Sequence, residues 1–297
     1  MKEPLYLREG DLIWITAPAR KISPKEIEPA IDLLKKWGYR VKMGKTIGLE
    51  ENQFAGSDTE RAGDFQNAMD NPEVKAIWCA RGGYGAIRMV DYLNFDNFKK
   101  TPKWIIGYSD MTVLHSHINS LSIVSLHAFM PVDLKSIETE ALNSLKKVLS
   151  GESITYKVPF SRLNKQGVCS GELVGGNLSV LYSMLGSKSS ISTKDKILFL
   201  EDLDEYLYHI DRMMMNLKRN GYFEGLKGLI IGGMVHMHDN KIAFGKTSEE
   251  IILDITKDYN FPIAFNFPAG HIPDNRSLLF GKQVELEVNE KETILKM

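Results

Sequence analysis

Val74-Lys75-Ala76-Ile77-Trp78-Cys79-Ala80, running into Arg81-Gly82-Gly83-Tyr84-Gly85, is the stretch that decides the fold class. An apolar run of strand length breaks at three glycines in four positions, so a strand ends in a turn whose backbone can come close to another group. Upstream, Asp58 to Met69 reads as a polar helix with Ala62, Phe65 and Met69 on one face. Before it lie a short strand from Tyr39 to Met43 and a helix opened by Ser23-Pro24. Ser suits the N-cap and Pro the first helical position. Ile27, Ala30, Ile31 and Leu34 recur at helical spacing until Gly38, and Asp11 to Pro18 is a further strand. Downstream, Trp104 to Gly107 is a strand and Asp110 to Leu121 a helix. Strands alternating with helices predict an α/β fold with a parallel sheet covered on both faces.

The second half reads differently. Ser150 to Gly171 is polar and holds Gly151 and Gly167, as a partly extended connection would. Residues 1–149 are therefore expected as one domain, 150–170 as a linker and 171–297 as a second, mixed and β-rich α/β domain. That second part carries a helix over Leu178 to Leu185 and a strand over Lys196 to Leu200. A long helix from Glu205 to Asn220, a strand from Gly228 to Met234 and a half-buried strand from Gln283 to Leu295 follow.

Composition narrows the function. The 297 residues hold 37 Lys plus Arg against 38 Asp plus Glu, a net charge of −1. So even a balance offers no electrostatic footprint for nucleic acid or an anionic membrane. Apolar residues at 43% and charged residues at 25% exclude disorder. Two cysteines, Cys79 and Cys169, make no disulfide framework. Residues 1–8 show no secretory h-region, and no window reaches the roughly 18 apolar residues of a membrane span. The expected location is cytoplasmic.

Four features could carry chemistry. In Gly107-Tyr108-Ser109-Asp110, Ser109 sits where a strand turns into a helix, the setting of a nucleophile elbow, although the second Gly of G-x-S-x-G is absent. Equally, Ser109 could simply N-cap the helix. The Arg81 to Gly85 turn could cradle a phosphate, supply an oxyanion-hole amide, or be no more than a tight turn. Glu201-Asp202 ends a buried strand, where a carboxylate needs a partner, or else starts the next helix. His271 lies in the Pro/Gly-rich run Phe267 to Pro273, suited to presenting a side chain. Of the other histidines, His115-x-His117 would point apart on a helix. His236-x-His238, with Asp239 nearby, is a weak metal candidate lacking a third ligand. Ser109, Glu201 and His271 could act as nucleophile, orienting carboxylate and base. Spacing alone does not bring them together.

Five segments in this order resemble the LD-carboxypeptidase family, the muramoyl-tetrapeptide carboxypeptidases. They are Ala80 to Gly85, Gly107 to Asp110, Gly171 to Leu178, Leu200-Glu201-Asp202 with Tyr208 to Met213, and Gly270-His271. The resemblance implies a flavodoxin-like N-terminal domain bearing the nucleophile Ser109 and a C-terminal domain bearing Glu201 and His271. It implies an oxyanion hole from the Gly83 and Asp110 amides, no metal or organic cofactor, and commonly a homodimer. The substrate it implies is a small cytoplasmic murein tetrapeptide, which loses its terminal D-Ala. Where the family often has His-Gly-Pro, this chain has His127-Ala128-Phe129-Met130-Pro131. Arg212 reads as a buried ion-pair partner ahead of a carboxylate binder. A related branch resembles microcin-immunity peptidases, which cleave aminoacyl-nucleotide conjugates with the help of an additional aromatic loop. Pro131 to Gly171 is short for such a loop and has no Trp. A non-catalytic module that binds a phosphate or wall fragment on the Gly-rich turn is the other alternative.

Overall fold

A computed structural model describes residues 1–297. Its first part alternates strands and helices: β1 (Leu12–Thr16), α1 (Pro24–Lys36), β2 (Arg40–Met43), α2 (Asp58–Asp70), β3 (Val74–Cys79), α3 (Ala86–Met89), α4 (Asp96–Lys100), β4 (Trp104–Gly107), α5 (Thr112–Ser120), β5 (Ser125–His127) and α6 (Thr139–Ser150). β1 and β4 are buried along their whole length, as strands covered on both faces must be. β1 to β5 run parallel in the order β2-β1-β3-β4-β5, the flavodoxin-like arrangement. Helix α1 starts where expected, with the Ser23 N–H and Oγ–H both donating to Glu26 at 2.8 Å.

The second part comprises β6 (Thr155–Pro159), β7 (Gly167–Asn177), α7 (Leu178–Ser183), β8 (Lys196–Leu203), α8 (Leu207–Arg219), β9 (Gly228–Val235), α9 (Ser248–Thr256), β10 (Ile263–Ala264), β11 (Leu278–Phe280), β12 (Gln283–Val288) and β13 (Glu292–Lys296). Its sheet has the order β10-β9-β8-β7-β12-β13-β6. β7 to β10 pair in parallel, and β12, β13 and β6 join antiparallel, so the sheet is mixed as expected.

Two readings change. The polar stretch 150–170 carries β6 and the first residues of β7. The strand expected over Gln283 to Leu295 is a hairpin, β12 and β13, turning at Asn289–Lys291; the alternation spans both arms and hides the break. Gly175 and Gly176 lie inside β7. Gly176 is where β7 packs against α5 of the first part. A Cβ there would fall 2.4 Å from Thr112 Oγ1 of α5, and the adjacent Asn177 N–H donates to that oxygen at 3.0 Å.

One strand crosses over. β11 follows β10 in the chain yet pairs antiparallel with β5, at the edge of the first sheet. A single apolar cluster also joins Tyr108, Met111 and Leu114 to Val174, Leu178 and Leu200.

Candidate active site

β4 ends at Gly107, and Ser109 follows in a left-handed conformation with φ +61°. A non-glycine residue there costs roughly 1–2 kcal/mol, the strain of a sharp elbow. Gly107 makes the bend feasible: a Cβ on it would meet Met111 Cγ at 2.7 Å. Ser109 opens a 3-10 turn to Met111, before α5 begins at Thr112. Its hydroxyl does not cap that helix; Oγ lies 3.0 Å from His271 Nε2. Behind the elbow, buried His115 donates from Nε2 to the Gly107 carbonyl at 2.8 Å, since a carbonyl can only accept. Burial pulls His115 down to about 4, so it is neutral and takes the Ser125 hydroxyl on Nδ1 at 2.9 Å.

Glu201 does not start a helix. β8 continues through it to Leu203, with a register shift between Leu200 and Asp202, and the side chain is fully buried. Its Oε2 accepts from His271 Nδ1–H at 2.6 Å and from the His271 backbone N–H at 3.2 Å. Gly270 gives the carboxylate room, at φ +104°: a Cβ there would sit 2.8 Å from Glu201 Cβ, Cγ and Oε2. The Gly270 N–H in turn donates to Asn275 Oδ1 at 2.9 Å. The Tyr108 ring packs against His271 with centroids 4.7 Å apart. Burial pulls the His271 imidazole down, but the Glu201 carboxylate outweighs it and the net shift is upward. Because Nδ1 carries the proton given to Glu201, Nε2 of the neutral ring is free to accept from Ser109. Hydroxyl, imidazole and carboxylate thus form one hydrogen-bonded line, able to deprotonate the hydroxyl and to hold the charge that results.

Neighbouring Asp202 serves elsewhere. It accepts from Asn177 Nδ2 at 2.9 Å and from the Ser179 N–H at 2.8 Å, so it caps α7 rather than α8. Burial, with Glu201 adjacent, pushes it up to about 7.

The turn after β3 lies against the elbow. A Cβ on Gly82 would come within 3.2 Å of Ser109 Cβ and 3.3 Å of its Oγ. The Gly83 N–H, at φ +101°, donates to no acceptor in the protein. Asp110 is buried, and its Oδ2 accepts the Ala86 N–H at 2.8 Å. Burial pushes this carboxyl up to about 6, against the pull of the Ala86 amide and Arg61.

The remaining candidates scatter. His117 meets Ser189 Oγ at 3.0 Å, and His209 meets Glu205 at 2.6 Å. His236 lies beyond the end of β9 with φ +56°, so it shares no strand face with His238, which pairs with Asp204 at 2.5 Å. No three His, Cys, Asp or Glu side chains are grouped to hold a metal ion. Arg212 is exposed, without a carboxylate partner, and lies 5.1 Å over the Tyr208 ring; the buried ion pair expected for it does not form. Cys79 and Cys169 are free thiols, Cys79 pushed up by burial. Tyr108, His115, Asn275 and the Asp110 carboxylate escaped the sequence reading. The Asp after Ser109 left no distinct signal, since an acid at the start of the helix expected over Asp110 to Leu121 is ordinary.

Known proteins resemble this chain in sequence and fold. The LD-carboxypeptidase N-terminal domain matches residues 13–128, and the LD-carboxypeptidase C-terminal domain matches 170–286. A probable murein peptide carboxypeptidase of Bacillus subtilis is 32% identical over 299 residues, covering 99% of this chain and 94% of that one. The crystal structure of a muramoyltetrapeptide carboxypeptidase from Oxalobacter formigenes superposes with a TM-score of 0.87 at 27% identity, over 96% of this chain and 98% of that one. The microcin C7 self-immunity protein of Escherichia coli is 24% identical over 96% of this chain and 93% of its own. A solved structure of a protein of that name has a TM-score of 0.89 at 20% identity, covering 99% and 98% of the two chains, and shares the fold. No helix here is long and apolar enough to cross a membrane.

Proposed function

Because the chain belongs to the LD-carboxypeptidase family, we propose that it is a serine carboxypeptidase that removes the terminal D-Ala from murein tetrapeptides by hydrolysing an L,D peptide bond. The observation that carries this reading is the line from Ser109 Oγ to His271 Nε2 at 3.0 Å and from His271 Nδ1 to Glu201 at 2.6 Å. His271 takes the Ser109 proton as the hydroxyl attacks the scissile carbonyl. Glu201 holds the ring and balances the imidazolium. The Gly83 and Asp110 amides receive the oxyanion, each worth roughly 3 kcal/mol. His271 then returns the proton to the leaving amino group of D-Ala, and water hydrolyses the acyl-enzyme by the reverse sequence. Residues 1–149 supply Ser109 and 171–297 supply Glu201 and His271, so the site exists only where the two parts meet. The setting is cytoplasmic processing of small wall peptides by a homodimer.

Mass spectrometry of a murein tetrapeptide incubated with the protein tests this. The expected result is release of D-Ala, together with labelling of Ser109 by a serine-reactive phosphonate. Absence of labelling with ligand affinity retained in Ser109→Ala would leave a binding module instead. The likeness to the microcin C7 self-immunity protein supports a second reading, cleavage of aminoacyl-nucleotide conjugates. The short Trp-free stretch from Pro131 to Gly171 speaks against it, and competition between tetrapeptide and an aminoacyl-sulfamoyl adenylate separates the two.

A further inference from the structure

The Gly82–Gly85 turn belongs to no helix or strand, and glycine backbone has little of its own to hold it in place. It is nonetheless fixed at three points. The Gly82 carbonyl accepts the Arg20 N–H at 3.3 Å, from the segment after β1. The Gly85 carbonyl accepts Arg61 Nη1 at 2.8 Å, and the Ala86 N–H donates to Asp110 Oδ2 at 2.8 Å. The last two anchors are charged groups in the interior: Arg61 is 0% exposed and Asp110 is 3% exposed. Charges are buried at substantial cost, so their partners indicate what they are there to hold. Arg61 joins the turn to the β1 side, since the same Nη1 also donates to the Pro18 carbonyl at 2.8 Å, while Nη2 pairs with Asp58. Gly85 lets the guanidinium in: a Cβ there would lie 2.7 Å from Arg61 Nη1. Asp110 precedes α5 but accepts no amide from it; its carboxylate works on the turn side of the elbow, at the Ala86 N–H. With these groups engaged, the Gly83 N–H is left without an acceptor, beside a Gly82 in contact with Ser109.

We propose that Asp110 and Arg61 are positioning residues, a buried clamp that sets the Gly82–Gly85 turn against Ser109 and keeps the Gly83 N–H available for the oxyanion. The inference rests on the serine-hydrolase reading above. It assigns the Asp110 side chain a task distinct from that of its backbone amide.

Steady-state kinetics on murein tetrapeptide, with titration by a peptide boronic acid that forms a tetrahedral adduct on Ser109, provide the test. Asp110→Ala should lower kcat about 10²-fold, with KM changed less than about threefold and boronate affinity reduced in step with kcat. Asp110→Asn keeps an oxygen for the Ala86 N–H and should regain at least about tenfold of that loss. Arg61→Lys keeps the charge but not the planar guanidinium that holds Pro18 and Gly85 from Nη1 while Nη2 pairs with Asp58, and should lose about tenfold in kcat at similar KM. Asp110→Ala turning over within about twofold of wild type, or Asp110→Asn no better than Asp110→Ala, would overturn the clamp and leave Ser109 as nucleophile. Ser109→Ala at the wild-type rate would instead remove the reading on which the clamp rests.

Discussion

The proposed nucleophile, Ser109, and the proposed base, His271, are held by different means. Ser109 is presented by main-chain geometry: a left-handed residue between a glycine-ended strand and a 3-10 turn, flanked by the backbone of Gly82. His271 is presented by side-chain burial. Glu201 lies fully inside β8, and both the ring and the backbone N–H of His271 lean on it. One side stores strain and the other stores a buried charge, so they should fail in different ways when altered.

Where the two sides act as one, they should fail alike. Ser109→Ala and His271→Ala should each lose about 10⁴- to 10⁶-fold in kcat, and the double variant no more than either single one. Additive losses would break the hydrogen-bonded line into independent parts.

On the buried-charge side, Glu201→Gln should cost about 10³- to 10⁴-fold. It should also move the acid limb of the kcat/KM profile to lower pH. The base works deprotonated, Glu201 holds its pKa up, and burial alone would bring it down. An acid limb left in place would mean that another group sets it.

Gly270→Ala places a Cβ 2.8 Å from Glu201 and strains a positive φ, so the imidazole should shift and kcat fall about 10²-fold. Full activity in this variant would show that the loop relaxes freely. The smallest effect belongs to the strained side. Ser109→Gly should be more stable than Ser109→Ala by about 1 kcal/mol in urea denaturation, since both lack the hydroxyl and only glycine is at ease at φ +61°. Equal stabilities would remove the strain from the elbow.

The same contrast explains what was legible beforehand. The elbow and the glycine turn write themselves into local sequence, because main-chain geometry demands particular residues at adjacent positions. Ser109 and Gly82–Gly85 could therefore be picked out by spacing. The buried side leaves fainter marks. Glu201 follows the apolar run of β8 and could be read either as a strand-end carboxylate needing a partner or as a helix start, because its partner is distant in sequence. Asn275 and His115 act on backbone atoms of the motif residues Gly270 and Gly107, from five and eight residues away and outside the motifs themselves. The need for glycine at 175 and 176 is invisible in the sequence, because the contacts that require it come from Phe199 and Thr112, on other elements. The parallel sheet followed from alternation, whereas the three-residue β11 carries no periodicity and its place beside β5 is a purely tertiary fact.

That small strand bears on synthesis. β5 stands next to β4, whose end carries Ser109, and β11 is its outer neighbour. On the ribosome, β5 therefore waits with an open edge until Leu278–Phe280 emerge, and an open edge is a place where strands of other chains can add. His271 emerges only shortly before them. The nascent chain can thus expose a serine elbow for most of its synthesis without being a hydrolase. The segment that brings His271 also brings the strand that closes the edge, so the proposed catalytic line is completed and the edge sealed in the same stretch of translation.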